Sequence, residues 1–254
     1  KTAVSPAIST VIIAATTVVL VIVASSYAYQ TLERQRGASE FAIAKKAILA
    51  FDEALKNIAW KQQSSRSTRF VANYGAVELV PNALNLTVKA EVSTNSCSTS
   101  ILTGVIKYYI NTHYVTFGNN YKEYILGDES AVVSGSTHSL GQAVVEQRSK
   151  WANITLNYRV SAMKTSETQI GDQEFITYID IWIIKITISK WSNYIGEFDL
   201  KARCTGVTSN STPFNVPTQD MLATISAKFG NETPYSCNFS LKKGDVVFNF
   251  VVAD

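Results

Sequence analysis

From Thr2 to Leu32 the chain carries no charged side chain, an unbroken run of 31 positions. Within it, Ala7 to Ala28 is mostly Val, Ile, Ala and Thr. About 20 such residues are enough to cross a bilayer. A helix that is apolar on nearly every face has to be buried all round, in lipid or in other protein. Lys1 flanks the run on one side and Glu33, Arg34 and Arg36 on the other, with Tyr27 and Tyr29 where interfacial aromatics sit. Past Leu32 the pattern changes but the helical period continues. Phe41, Ala44, Ile48, Phe51, Leu55 and Ile58 recur at spacings of 3, 4, 3, 4 and 3, a single apolar stripe. Lys45, Lys46, Asp52, Glu53 and Lys56 fall on other faces. Pro6, the only proline before Pro81, sits in the first turns, where it costs little.

The pattern predicts one continuous helix over residues 1–62, about 90 Å long at about 1.5 Å per residue, with at most a soft spot near Gly37. Residues 3–32 are its lipid- or partner-facing half, with Val4, Ile8, Val11, Ile12, Val18, Val19 and Ile22 as the core-forming side chains. Residues 33–62 are the half that packs on the chain's own globular part. A secretory signal fits poorly: the apolar run is too long, and no clear cleavage site ends it.

After the polar linker at 62–67 the period shortens to two. "TRFVANYGAVELVP", "LNLTVKAEV", "TGVIKYYI", "NITLNYRVSA", "EFITYIDIWIIKITIS", "IGEFDLKARCTG" and "GDVVFNFVVA" read as strands. "FGNNY", "LGDES", "SGSTHS", "SNSTPFNVP" and "FGNETP" read as the turns between them. "TQDMLATISAKFG" fits a short helix or another strand. The expected fold class is α+β: a long N-terminal helix, then an antiparallel, immunoglobulin-like β-sandwich head over residues 63–254.

Composition narrows the function. Only 17% of residues are charged and the net charge is +3, scattered, so nucleic acid is not an expected partner. Five Asn-X-Ser/Thr sites, at Asn85, Asn153, Asn210, Asn231 and Asn238, all fall in the β part and agree with an extracellular, glycosylated head. Cys97, Cys204 and Cys237 have no zinc spacing. An extracellular setting favours a Cys204–Cys237 disulfide with Cys97 free, against the alternative of three unpaired thiols. No catalytic constellation is present. The two histidines, His113 and His138, lack partners, and "GDES" at 127–130 and "GDQE" at 171–174 lack the ligand spacing of a calcium loop. No enzyme activity, metal or cofactor is expected. Trp182 and Trp191 read as sandwich core and sheet edge, or as contacts to a ligand or subunit.

The opening "AVSPAISTVIIAATTVVLVIVA" resembles the N-terminus of archaeal type IV pilins, and "SSRSTRFVANYGAVEL" at 64–79 resembles the segment where such chains leave the helix for the first strand pair. The resemblance is sharpest at Val4-Ser5-Pro6 and Ser65-Arg66, and beyond about residue 80 it is one of architecture. Bacterial relatives carry an acidic residue at the fifth position, where this chain has Ser5. The family implies leader removal by a prepilin peptidase, with the mature chain starting near Lys1. It also implies a membrane-held precursor, and assembly with further copies of itself into an extracellular adhesion filament. Two other readings stay open: an archaellin-type motility filament subunit, and a single-pass anchored extracellular binding module.

Overall fold

A single helix, α1 (Pro6–Ala59), runs without interruption through both sequence patterns. The computed structural model describes residues 6–135, 139–218 and 221–254; Val4, Ser5 and His138 lie outside them. The expected soft spot at Gly37 is not one. Gly37 is buried inside the helix, and a Cβ there would stand 2.6 Å from the Cβ of Tyr114, so the glycine makes room for a loop. The last carbonyls of α1, which no further turn can satisfy, take hydrogen bonds from outside it. The Lys61 N–H (2.8 Å) and the Ser64 hydroxyl (3.1 Å) donate to Ile58 O, and the Cys204 thiol donates to Ala59 O (3.2 Å). Gln63 reverses the chain with φ of 63°.

Thirteen strands follow among the described residues: β1 (Ser65–Val92), β2 (Asn95–Asn111), β3 (Lys122–Leu126), β4 (Val132–Ser134), β5 (Gly141–Arg148), β6 (Trp151–Tyr158), β7 (Val160–Gly171), β8 (Glu174–Ile184), β9 (Ser192–Arg203), β10 (Val207–Val216), β11 (Met221–Phe229), β12 (Tyr235–Leu241) and β13 (Gly244–Ala253). The larger sheet has the order β12-β11-β1-β2-β6-β5-β3, with β9 beside the first half of β1; the smaller is β10-β13-β8-β7-β4. Most pairs are antiparallel, but β13 with β8 and β4 with β7 run parallel. Helix and sheets together make a sandwich-like head with one helical arm.

Three segments differ from the pattern reading. The two short strands expected before residue 92 are one 28-residue strand, β1. Its register shifts between Ala72 and Val77 and again between Val80 and Leu84, so Gly75 and Pro81 mark irregularities inside a strand rather than its ends. "SNSTPFNVP", expected as a turn, is largely β10; it lies at a sheet edge, where a proline breaks no ladder. "MLATISAKF" is β11, with alternate residues buried.

The head has two apolar cores. One lies between α1 and the β1, β2, β5 and β6 region, around Ile48, Phe51, Phe70, Tyr108 and Ile154. The other lies between the two sheets, around Leu86, Ile179, Ile181, Ile225 and Phe248. Strand β2 serves both by changing phase: Cys97 and Ile101 pack on the second core, and Ile106, Tyr108 and Ile110 on the first. The chain after β8 crosses β2 at that point. The Ile186 N–H donates to Thr103 Oγ1 (2.9 Å) and the Gly104 N–H to Ile186 O (2.7 Å).

Candidate functional site

The first half of α1 touches nothing. Ile8, Val11, Ile12, Val18, Val19 and Ile22 are 54 to 68% exposed, and ten large aliphatic side chains between Ile8 and Val23 stand in the open. Fully burying one such side chain is worth about 1.5–3 kcal/mol. Ten of them, each already partly covered by the helix, represent about 10–20 kcal/mol, at least as much as the whole stability of an ordinary domain. An arm like this has no stable place in water. Three of its hydroxyls are already satisfied: Thr16 Oγ1 donates to Ile13 O (2.9 Å), Thr17 Oγ1 to Ile13 O (2.7 Å) and Thr31 Oγ1 to Tyr27 O (2.9 Å). Such back-bonding lets hydroxyls enter an apolar medium without an outside partner. By length and composition the helix can serve as a membrane anchor or signal segment.

The grip of the head begins at Gly37. Phe41, Ala44, Ile48, Phe51 and Ile58 are buried against it, and Leu55 is half-buried. Two carboxylates beside this stripe are buried, and one of them, Glu40, ties the helix to the head. Glu40, 5% exposed, accepts hydrogen bonds from the backbone N–H groups of Asn73 (2.7 Å), Tyr74 (3.0 Å) and Gly75 (3.0 Å), and from the Tyr108 hydroxyl (2.9 Å). These donors sit at the β1 irregularity, where the ladder leaves backbone groups free to turn toward the helix. Burial, and then the Glu40 charge, raise the Tyr108 pKa well above the usual phenol value, so the hydroxyl stays a donor.

Asp52 lies one and a half turns further on from Ala47. Sequence pattern places it away from the stripe, yet it is buried at 3% exposure. It pairs with Lys56 one turn along, whose ammonium also donates to Ser139 Oγ (2.8 Å). Tyr158 faces Asp52, and burial followed by that charge raises its pKa as well. Gly141 on β5 leaves room for the carboxylate; a Cβ there would collide with it. Glu40 and Asp52 carry no sequence signal of their own. They were missed because they share the polar residue types of the solvent face and sit one position off the stripe.

The remaining candidates separate clearly. Asn85, Asn210, Asn231 and Asn238 are exposed: on β1, on edge strand β10, in the β11–β12 turn and on edge strand β12. Asn153 is 7% exposed, inside a sheet, unlike the other four. The expected Cys204–Cys237 disulfide is absent, and all three thiols are free. Cys204 is buried at the end of α1, whereas Cys237 sits on β12 against the other core. His113 is exposed, its ring edge-on to Tyr114 at 5.2 Å. Trp182 is half-buried, edge-on to Trp60 at 4.7 Å. Trp191 is exposed and its indole N–H donates to Glu78 (2.7 Å).

The arrangement is thus a bare apolar arm, continuous with a helix that the head holds by a buried apolar stripe and the Glu40 carboxylate. Comparisons with family models, with curated proteins and with solved structures found no match.

Proposed function

We propose that the chain is the structural subunit of an extracellular helical filament of the archaeal type IV pilus kind, assembled through residues 3–32 of α1. In this reading the arm sits in the membrane before assembly, after a prepilin peptidase removes a leader, and then moves into a bundle of identical arms. Each apolar side chain exchanges hydrocarbon for hydrocarbon, so packing decides the balance. The Ala, Ser and Thr residues in "PAISTVIIAATT" let helices approach closely. A repeated, non-closing contact gives a filament. The head, read as an elaborated immunoglobulin-like sandwich, forms the outer sheath, with glycans at Asn85, Asn210, Asn231 and Asn238. The role is structural, with no catalytic step or cofactor.

The observation that carries this reading is the continuity of bare arm and clamped helix. A plain membrane tether needs only a flexible joint between anchor and head. Here the arm leaves the head as the same unbroken helix, held by the buried stripe and Glu40 up to the point where burial stops. Packing the arms would therefore also fix the heads. The test is electron microscopy of shear-released cell-surface material, with mass analysis of the subunit's N-terminus. Filaments built from this chain, with a processed N-terminus, are the expected result. An unprocessed chain confined to the membrane fraction, with no filaments, would replace the proposal with an anchored binding module.

A further inference from the structure

The larger sheet has a second working face. Along β6, Ala152, Ile154 and Leu156 point into the core beneath α1, so Asn153, Thr155 and Asn157 point the other way. The register aligns them with their neighbours: Lys107, Thr155, Val144 and Tyr124 form one row, and Tyr109, Asn153, Glu146 and Lys122 the next. Together with the β1 irregularity and the β11–β12 turn these rows enclose an open cavity of about 480 Å³. That is within the range of about 300–1,000 Å³ used by small-ligand sites.

The floor of this trough is neutral and polar. Gln142, Asn153 and Asn157 are 5 to 7% exposed. The Asn157 amide donates to Gln142 Oε1 (2.9 Å), and the Gln142 amide donates in turn to the Asp128 carbonyl. Asn153 is different: the residue lines the cavity, and its Oδ1 is buried with no hydrogen-bond partner in the protein. Buried amide oxygens are nearly always paired, so a bare one on a cavity-lining residue marks a place for a donor from outside. The charges lining the trough nearly balance, four acidic against three basic. Lys122 lies 3.8 Å from Glu129, Arg148 lies 3.0 Å from Glu146, and Lys107 stands opposite Glu78, which leaves Glu232 over. An anion is therefore disfavoured. Trp151, on the same face of β6 two residues before Asn153, does not line the cavity. It stands 44% exposed opposite Arg148, which does, and its ring is edge-on to Tyr109 at 5.2 Å.

We propose that this trough binds a neutral saccharide of one or two rings, its hydroxyl groups meeting Asn153, Thr155 and the amide pair. The inference does not depend on filament assembly. It also accounts for the buried sequon: Asn153 and Thr155, two residues apart on a strand, face the trough together rather than displaying a glycan.

The test uses the full chain, produced without N-linked glycans and held in a zwitterionic detergent that has no sugar headgroup. Glucose, galactose, mannose, N-acetylglucosamine, maltose and lactose are titrated, with inorganic phosphate, glucuronate and glucosamine as charged comparisons. Binding is read by ligand-detected NMR and by tryptophan fluorescence. At least one neutral sugar should bind in the millimolar range, and Asn153→Leu should weaken it by about tenfold or more, because a site built for a hydroxyl loses its partner. Thr155→Val, at a half-exposed strand position, repeats the test should Asn153→Leu fail to fold. Binding left intact in the folded variants, binding of phosphate, glucuronate or glucosamine in preference to neutral sugars, or no neutral sugar bound at all would each overturn the proposal. The same titration on glycosylated chain separates two sources of the sugar. Loss of binding there means that the protein's own glycans fill the trough, and unchanged binding means that the ligand is foreign. Neither result bears on whether shear-released filaments form.

Discussion

Residues 8–32 and residues 37–59 belong to one helix with one backbone geometry, yet the head ignores the first segment and encloses the second. In the first, every large side chain is exposed and three hydroxyls bond back to the helix's own carbonyls. In the second, an apolar stripe is buried, Glu40 binds the head's backbone and Tyr108, and Asp52 is paired with Lys56. The first segment can exchange one apolar environment for another at little cost, because it carries no charge and its side chains make no contact with the head that would have to be broken. The second cannot move at all without leaving charged groups unpaired. Mobility of surroundings in one half and immobility in the other follow from where the polar atoms find partners, not from helix stability.

The sharpest way to break this contrast is to give the free half a charge. Val19→Asp should cost about 2.5–3.5 kcal/mol for insertion at the helix centre. That is well below what the other apolar side chains of the arm supply, so the arm should still insert. Filament formation, which would bury the charge among packed arms, should be abolished while the head unfolds at its usual temperature; Ile12→Asp should do the same. Filaments of normal length from either variant would show that the heads, not the arms, drive assembly. Deleting residues 1–32 is the complementary cut. A soluble monomer is expected, and a fragment that still polymerises would contradict the assigned role of the arm.

The clamped half fails in the opposite way. Glu40→Leu strands three backbone N–H groups and the Tyr108 hydroxyl in a buried site, and each buried orphan costs about 1–3 kcal/mol. With partial relaxation the head should lose about 3–5 kcal/mol in denaturant unfolding, with membrane insertion untouched. A loss below about 1 kcal/mol would mean that the carboxylate does not hold the helix.

Alkaline pH probes the same clamp without mutation. Tyr108 and Tyr158 both have folded-state pKa values above the unfolded value near 10. Groups with raised values contribute stability that is complete below the unfolded pKa and lost as pH rises toward the folded one. Stability should therefore hold to about pH 10 and then fall, by up to about 1.4 kcal/mol per pH unit for each tyrosine. Tyr108→Phe should flatten part of that slope in unfolding experiments between pH 9 and 12; an unchanged slope would separate the tyrosine from the clamp. Gly37→Ala is a smaller test in which two effects oppose. Alanine gains about 1 kcal/mol of helix propensity. Its Cβ would, however, meet the Cβ and Cγ of Tyr114 at 2.6 and 2.7 Å, the stiff root of that side chain, and forcing it aside costs about 1–3 kcal/mol. A net loss of about 1 kcal/mol is expected, and a gain would restore the soft-spot reading of that glycine.

How legible these features are in sequence depends on how many residues carry each one. The arm is written in 31 consecutive uncharged positions, and the stripe in six apolar residues at helical spacing, so both stand out against any background. The clamp is written in one acidic residue among several on the same helix, and only the fold shows that Glu40 meets the β1 irregularity while Glu53 meets solvent. Strand β1 hid its length because Gly75 and Pro81, which usually end a strand, here sit at register shifts inside one. The trough is invisible for a related reason. Asn153, Glu146 and Lys122 come from three strands, and only the pairing register puts them in one row.

Cysteine shows the same dependence on register, and it yields the smallest predicted effect. Cys97 stands opposite Ala90, Ala90 opposite Ile225, and Ile225 opposite Cys237, so the two thiols lie in one row across four strands. Three strand spacings separate them by about 14 Å, against the roughly 4.4–6.8 Å between Cα atoms that a disulfide needs. Cys204 is committed elsewhere, its thiol donating to the last carbonyl of α1. Burial raises the Cys97 pKa and pushes Cys237 up to about 11, so at neutral pH both stay protonated and unreactive. Reductant should then leave the unfolding temperature within about 1 °C of its value without it, and three thiols should titrate in denaturant with no prior reduction. A fall of several degrees would reveal a covalent tie. It would also mean that the clamped half of the helix owes its immobility to something other than Glu40 and the stripe beside it.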